Sequence, residues 1–275
     1  MLAAFEGWND AGGSATQAVA MLADEWDAEV VHRVDPEQYH DFQVTRPLTT
    51  RTAEGKRTLE WPQTTISLAV SPANGRRLVL VEGIEPSFRW RTYCAEILAV
   101  ARDLGVGTVA GIGALLADVP HSRPIPVQIS SDDELVRALL GVERSDYEGP
   151  SGITGVLTHE AALLGMHTLS VWTTVPHYVS QPPAPKSTLA LLRALEPVLG
   201  EPVPLGDLAE DARAWQTGVD ELAAGDPEIA EYVAQLEEVK DTADLPEATG
   251  EAIAREFESY LRRRGDDAPG TKPQA

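Results

Sequence analysis

Cysteine is nearly missing from this chain: Cys94 stands alone among 275 residues. No intramolecular disulfide framework can form, and neither a Cys-x-x-Cys zinc site nor a dithiol redox pair can be built. Long apolar runs are missing too. No stretch approaches the ~20 residues of a bilayer-crossing helix, and Met1-Leu2-Ala3-Ala4-Phe5 meets Glu6 too soon for a secretory leader. The expected compartment is the cytoplasm. Positive charge is scarce: 22 Lys and Arg against 43 Asp and Glu leave a formal net charge of -21. Such a chain repels phosphate backbones and anionic lipid, which argues against nucleic-acid and membrane partners.

Reactive motifs are equally thin. There is no P-loop, no Gly-x-Ser-x-Gly elbow and no His-Glu-x-x-His. Gly111-Ile112-Gly113 lacks the third glycine of a dinucleotide fingerprint. Cys94 falls at helical spacing with Ile97, Leu98 and Ala101 and reads as core rather than nucleophile. His121, His159 and His177 lie far apart in sequence. No catalytic residue, metal ligand or cofactor is therefore assigned.

What the chain does have is a 43% hydrophobic complement, enough for a sizeable core. Leu2 to Phe5 reads as a buried strand, and residues 7–13 as a glycine-rich turn. Ser14 is placed to cap a helix running to about Trp26. Val30 to Val34 reads as the next strand; this strand–helix–strand order implies a parallel pair. The proline-broken stretch 35–75 reads as hairpin strands added to one edge or face. Leu78 to Val81 is a continuous apolar run and reads as a central strand. A helix from Trp90 to Leu104 and strands at Val106–Leu115, Val127–Ile129 and Thr168–Val175 continue the alternation, with further helices between and after them. The fold class expected is α/β, three-layered, with a mainly parallel sheet.

Residues 201–275 change character. They hold 19 Asp and Glu against 7 Lys and Arg, and they carry helical stripes at Leu208-Ala212-Trp215-Val219-Leu222, at Ile229-Val233-Leu236 and at Ile253-Phe257-Leu261. The expected organisation is an α/β core over 1–200, an acidic helical appendage over 201–264 and a disordered tail over 265–275.

The unusual residues sit in loops that follow strands, where an open α/β sheet meets its ligands. A candidate ligand or interface rim contains Trp8, Asn9, Asp10, Glu85, Arg89, His121, Arg123, Tyr147, His177 and Tyr178. Each has two readings. Trp8 covers the core end or faces a ligand. Asn9 and Asp10 cap the first helix or border an anion, though Asp10 would repel a phosphate. Arg89 pairs with Glu85 or Asp118, or binds. His121 and His177 are hydrogen-bonded structural histidines or pocket groups.

Five segments occur in order: Phe5-Glu6-Gly7-Trp8-Asn9-Asp10-Ala11-Gly12, Gly83-Ile84-Glu85-Pro86-Ser87, Val119-Pro120-His121-Ser122-Arg123-Pro124, Tyr147-Glu148-Gly149-Pro150-Ser151-Gly152, and Trp172 through Pro176-His177-Tyr178-Val179. With them the chain resembles the proteasome assembly chaperone 2 family in its actinobacterial form, from residue 2 to about 264. The resemblance implies an α/β/α fold like that of purine nucleoside phosphorylases and related hydrolases. It also implies a homo-oligomer, with a trimer as one form, and a non-catalytic scaffold or assembly chaperone with a proteasome-related protein partner. It supplies no catalytic residue. The alternative function is an enzyme or sensor for a small polar molecule, nucleoside-like or amino-acid-like, bound in a rim cleft.

Overall fold

The computed structural model describes residues 1–243. The stripe at Ile253, Phe257 and Leu261 and the tail over 265–275 lie outside the described residues. In chain order the elements are β1 (Leu2–Glu6), α1 (Ser14–Glu25), β2 (Glu29–Val34), β3 (Leu48–Arg51), β4 (Arg57–Glu60), β5 (Thr64–Val70), β6 (Arg77–Ile84), α2 (Trp90–Asp103), β7 (Thr108–Ala117), β8 (Val127–Ser130), α3 (Glu134–Leu140), α4 (Ile153–Leu163), β9 (His167–Pro176), α5 (Pro185–Leu199), α6 (Leu208–Ala224) and α7 (Pro227–Ala243). The chain divides into two units, Met1–Leu222 and Ala223–Ala275.

The first unit is built on a seven-stranded sheet of order β2-β5-β6-β1-β7-β9-β8. Strands β6, β1, β7 and β9 run parallel, while β5, β2 and β8 join antiparallel at the flanks. β1 is apolar on both sides because both are covered. Leu2 and Ala4 pack with α1 and α5, and Ala3 and Phe5 pack with α2 and α4. Two apolar clusters thus sandwich the sheet. Fully buried side chains such as Leu22, Leu191 and Ile97 each contribute roughly 1.5–3 kcal/mol. The three-layer α/β/α class is what the sequence pattern implied.

The glycines of β7 serve packing. A Cβ at Gly111 would lie 2.7 Å from the Thr154 methyl of α4, and one at Gly113 would lie 2.6 Å from the Trp172 ring. That close approach accounts for a glycine pair that only partly matches a nucleotide motif.

Two expectations are corrected. β2 does not pair in parallel with β1; it is the outer strand and runs antiparallel to β5. The positions beside β1 go to β6 and β7, whose apolar runs suit burial on both faces, whereas β2 has Val30 and Val31 partly in solvent. Of the hairpin strands, β5 enters the main sheet, but β3 and β4 form a separate two-stranded ribbon.

Within α6, Leu208, Ala212 and Val219 of the predicted stripe are buried and Trp215 is partly so, whereas Leu222 is 69% exposed. In the second unit α7 starts at Pro227, and Asp226 Oδ1 accepts from the N–H groups of Glu228 and Ile229. Among the described residues no helix is long and apolar enough to cross a membrane.

Candidate functional site

The carboxyl ends of β1, β6, β7 and β9 face one edge of the sheet because these strands are parallel. The loops leaving them form two separate hydrogen-bonded groups.

The first group surrounds the turn after β1. Asp10 holds the start of α1: its Oδ1 accepts from Ala15 N at 2.6 Å and Thr16 N at 3.3 Å, and its Oδ2 accepts from the Thr16 hydroxyl. Asp10 therefore does the work assigned to Ser14, whose buried hydroxyl lacks a hydrogen-bond partner. A carboxylate already occupies this helix N-terminus, so an anion has no place there. Next to it, one oxygen of Glu85 accepts twice, from Asn9 Nδ2 at 3.1 Å and from the Ile153 backbone N–H at 2.9 Å. Glu85 thus joins the β1 turn to the first residue of α4. Gly152 closes onto this knot; a Cβ there would lie 2.1 Å from Asn9 Nδ2.

The second group surrounds His121, which is 1% exposed. Its backbone N–H donates to the Tyr178 hydroxyl at 2.8 Å, and its Nδ1 lies 2.8 Å from the same oxygen. If that hydroxyl donates to Nδ1, Nε2–H is left to donate to Asp220 Oδ1 at 2.9 Å. This tautomer satisfies every partner. Lys186 donates to the His121 carbonyl and, at 2.6 Å, to Gln216 Oε1. Burial lowers the Lys186 pKa; the Asp220 charge opposes that shift, and Arg123 adds to it. Asp220 and Gln216 both belong to α6, so this group clamps α6 onto the loop after β7. His177 pairs with Asp118 at 3.2 Å and stacks edge-on against Tyr178.

Three predicted rim residues lie elsewhere. Arg89 donates to Gln38 Oε1 at 2.9 Å instead of meeting Glu85 or Asp118, because those carboxylates are engaged by Ile153, Asn9 and His177. Tyr147 is exposed and donates to the Pro150 carbonyl at 2.9 Å. Trp8 is 63% exposed and does not cover the core.

Sequence reasoning missed a third feature. Glu6, Asp10 and Glu82, with Thr16 and Gln17, line a cleft of ≈ 440 Å³. Burial raises the pKa of all three carboxylates. Asp10 adds to the shift at Glu6, and Glu6, Asp24 and Asp10 add to that at Glu82. The signal was legible as Glu82, an acid interrupting the apolar run of β6. Lys186, Gln216 and Asp220 were also missed, since helical residues far along the chain give no local sign of meeting a loop. Among the described residues no group of His, Cys, Asp and Glu could hold a metal ion.

The PAC2 family model matches residues 4–223. The chain belongs to the PAC2 family. A crystal structure of a PAC2 family protein from Streptomyces avermitilis is 52% identical, covers 85% of this chain and 98% of its own, and superposes with a TM-score of 0.79. A proteasome-assembly chaperone homologue from Mycobacterium tuberculosis is 47% identical over 84% of this chain and 98% of its own, with a TM-score of 0.77. An archaeal proteasome activator from Pyrococcus furiosus, 17% identical over 80% of this chain and 91% of its own with a TM-score of 0.64, shares the fold. No curated protein matches the chain. The family thus contains proteins described by their relation to the proteasome.

Proposed function

We propose that this protein is a non-enzymatic, cytoplasmic, homo-oligomeric scaffold or assembly chaperone whose client is a proteasome-related protein. Family membership, with a proteasome-assembly chaperone homologue at 47% identity, carries the reading. The rim supports it. Three polar rim side chains, Asp10, Glu85 and His121, each bond the start of a helix or a residue within one: α1, α4 and α6 respectively. Side chains in such positions fix loops as a rigid surface, which is what a scaffold presents. The alternative, an enzyme or sensor for a small polar molecule, is favoured by none of these contacts.

The test is assembly in solution. Purified 20S α- and β-subunits from the same host, mixed with and without this chain, should form α-ring or half-proteasome particles faster in its presence. A complex of the chain with α-subunits should be visible by native mass spectrometry. Unchanged assembly kinetics together with no mixed complex would refute the reading.

A further inference from the structure

The β3–β4 ribbon stands apart from the main sheet. Two four-residue strands on their own are marginal in water and need a surface to pack on. This ribbon and its flanks instead present apolar side chains to solvent: Val44, Leu48, Leu59 and Trp61 are 79%, 63%, 55% and 46% exposed. Trp61 makes an edge contact with Phe42, at 4.9 Å between ring centroids.

Its charge is equally out of keeping. Residues 46–57 carry Arg46, Arg51, Lys56 and Arg57 against Glu54 alone, within a chain of net charge -21. Arg51 and Arg57 stand directly opposite each other in the register, a like-charge pair that destabilises a ribbon left by itself. Among the described residues neither arginine forms an ion pair; Arg51 donates to the Gly55 carbonyl and Arg57 to Thr49 Oγ1. Strand alternation places Arg51, Arg57 and Leu59 on one face, and Trp61 follows directly after β4. The ribbon thus combines cations with exposed aromatic and aliphatic surface.

We infer that the ribbon is the assembly arm of the protein, and that its occupant is an acidic surface on a second copy of this chain. This rests on the homo-oligomer reading above and deepens it. Charge complementarity decides the occupant: the ribbon is basic, and the chain as a whole carries a net charge of -21. It also decides the geometry. Two ribbons cannot pair with each other, because their cations would oppose one another. The contact therefore joins a ribbon to a different surface of its neighbour. Made reciprocally, such a contact gives a two-fold dimer; made head to tail, it gives a ring where the rotation closes.

The experiment uses the full chain in sedimentation velocity and equilibrium at low and high salt, beside two variants, R51E/R57E and L59S/W61S. All four positions are exposed, so far-ultraviolet circular dichroism should match the wild type. The wild type is expected as an oligomer of the 29.6 kDa chain, weakened by 0.5 M salt, and each variant should raise its dissociation constant at least about tenfold. In parallel, zero-length carbodiimide cross-linking is run on a mixture of unlabelled and nitrogen-15 chains. It should join Lys56 to carboxylates in mixed-isotope pairs; this arm stands even if a variant misfolds. A wild type that is monomeric throughout overturns the oligomer reading and this inference with it. A wild-type oligomer whose ribbon variants assemble equally well, with Lys56 linked only within its own copy, overturns the ribbon inference alone. A ribbon captured by 20S subunits in place of another copy overturns the choice of occupant.

Discussion

Removing Glu85 should separate a hydrogen-bonding role from a charge role at the rim. One oxygen of this side chain accepts from both Asn9 Nδ2 and Ile153 N–H. In Glu85→Ala both donors lose their acceptor. Asn9 is 2% exposed and Ile153 fully buried, so water cannot readily replace it. The lost helix-start bond costs about 1 kcal/mol, the stranded Asn9 amide about 1–3, and the lost carboxylate at the start of α4 a few tenths more. The expected total is roughly 3 kcal/mol. Glu85→Gln keeps a carbonyl oxygen with two lone pairs in the same place and loses only the charge, so about 1 kcal/mol is expected. All six tryptophans, Trp8, Trp26, Trp61, Trp90, Trp172 and Trp215, lie in the first unit. Tryptophan fluorescence during urea unfolding therefore reports that unit without interference from the second. At about 2–4 °C per kcal/mol for a unit of this size, the Ala variant should melt roughly 6–12 °C lower. Equal destabilisation by Ala and Gln would refute the bridging-oxygen account and leave charge as the cause.

Three further outcomes are expected. Asp220→Ala should loosen α6, because buried His121 loses its Nε2–H acceptor at about 1–3 kcal/mol; amide exchange across Leu208–Leu222 should accelerate, and Asp220→Asn should restore most of the protection. Burial and the charges of Glu6, Asp24 and Asp10 raise the Glu82 pKa above its ordinary 4.5, so the folded state holds this proton more tightly than the unfolded state. That contribution is full below the ordinary value and is lost as pH rises through the raised one. Glu82→Gln should therefore be more stable than wild type near pH 7, by a few tenths to about 1 kcal/mol, and the gap should shrink below pH ~4 in melts across pH. Cys94 is buried, with its thiol pushed up to about 12 first by desolvation and then by the Glu160 charge; a disulfide reagent should react only at the rate of unfolding, and faster labelling in native buffer would contradict this.

Much of the fold was legible because it rests on period and run length. β1, β6 and β7 announce themselves as apolar runs, and α2 and α5 as amphipathic stretches. The misreading of β2 has a definite cause. Strand–helix–strand order predicts a parallel crossover only when the second strand is suited to the sheet interior. Glu29-Val30-Val31-His32-Arg33 is not, and the more apolar β6 takes the place beside β1. The separate ribbon was illegible for a related reason: its Leu48 and Leu59 look like sheet residues, and nothing local says they find no sheet.

The rim was half legible. Conspicuous loop residues were found, but conspicuousness did not reveal their work. Asn9, Asp10, Glu85 and His121 stand out because a buried loop must satisfy its polar groups: Asp10 holds the start of the helix that follows it, Glu85 and His121 bond helices far along the chain, and Asn9 bonds Glu85. Their partners, Ile153, Thr16 and Asp220, carry no motif, so the pairings appear only once the helices are placed. The same logic locates the surface most open to a partner. Where loops are internally satisfied, association draws on exposed surface, and the β3–β4 ribbon and its flanks set exposed Val44, Leu48, Leu59 and Trp61 beside Arg51 and Arg57, which form no ion pair among the described residues. A scaffold of the kind proposed needs a rigid body and an adhesive edge. Here the rim supplies the rigidity, and the ribbon is where adhesion should be sought.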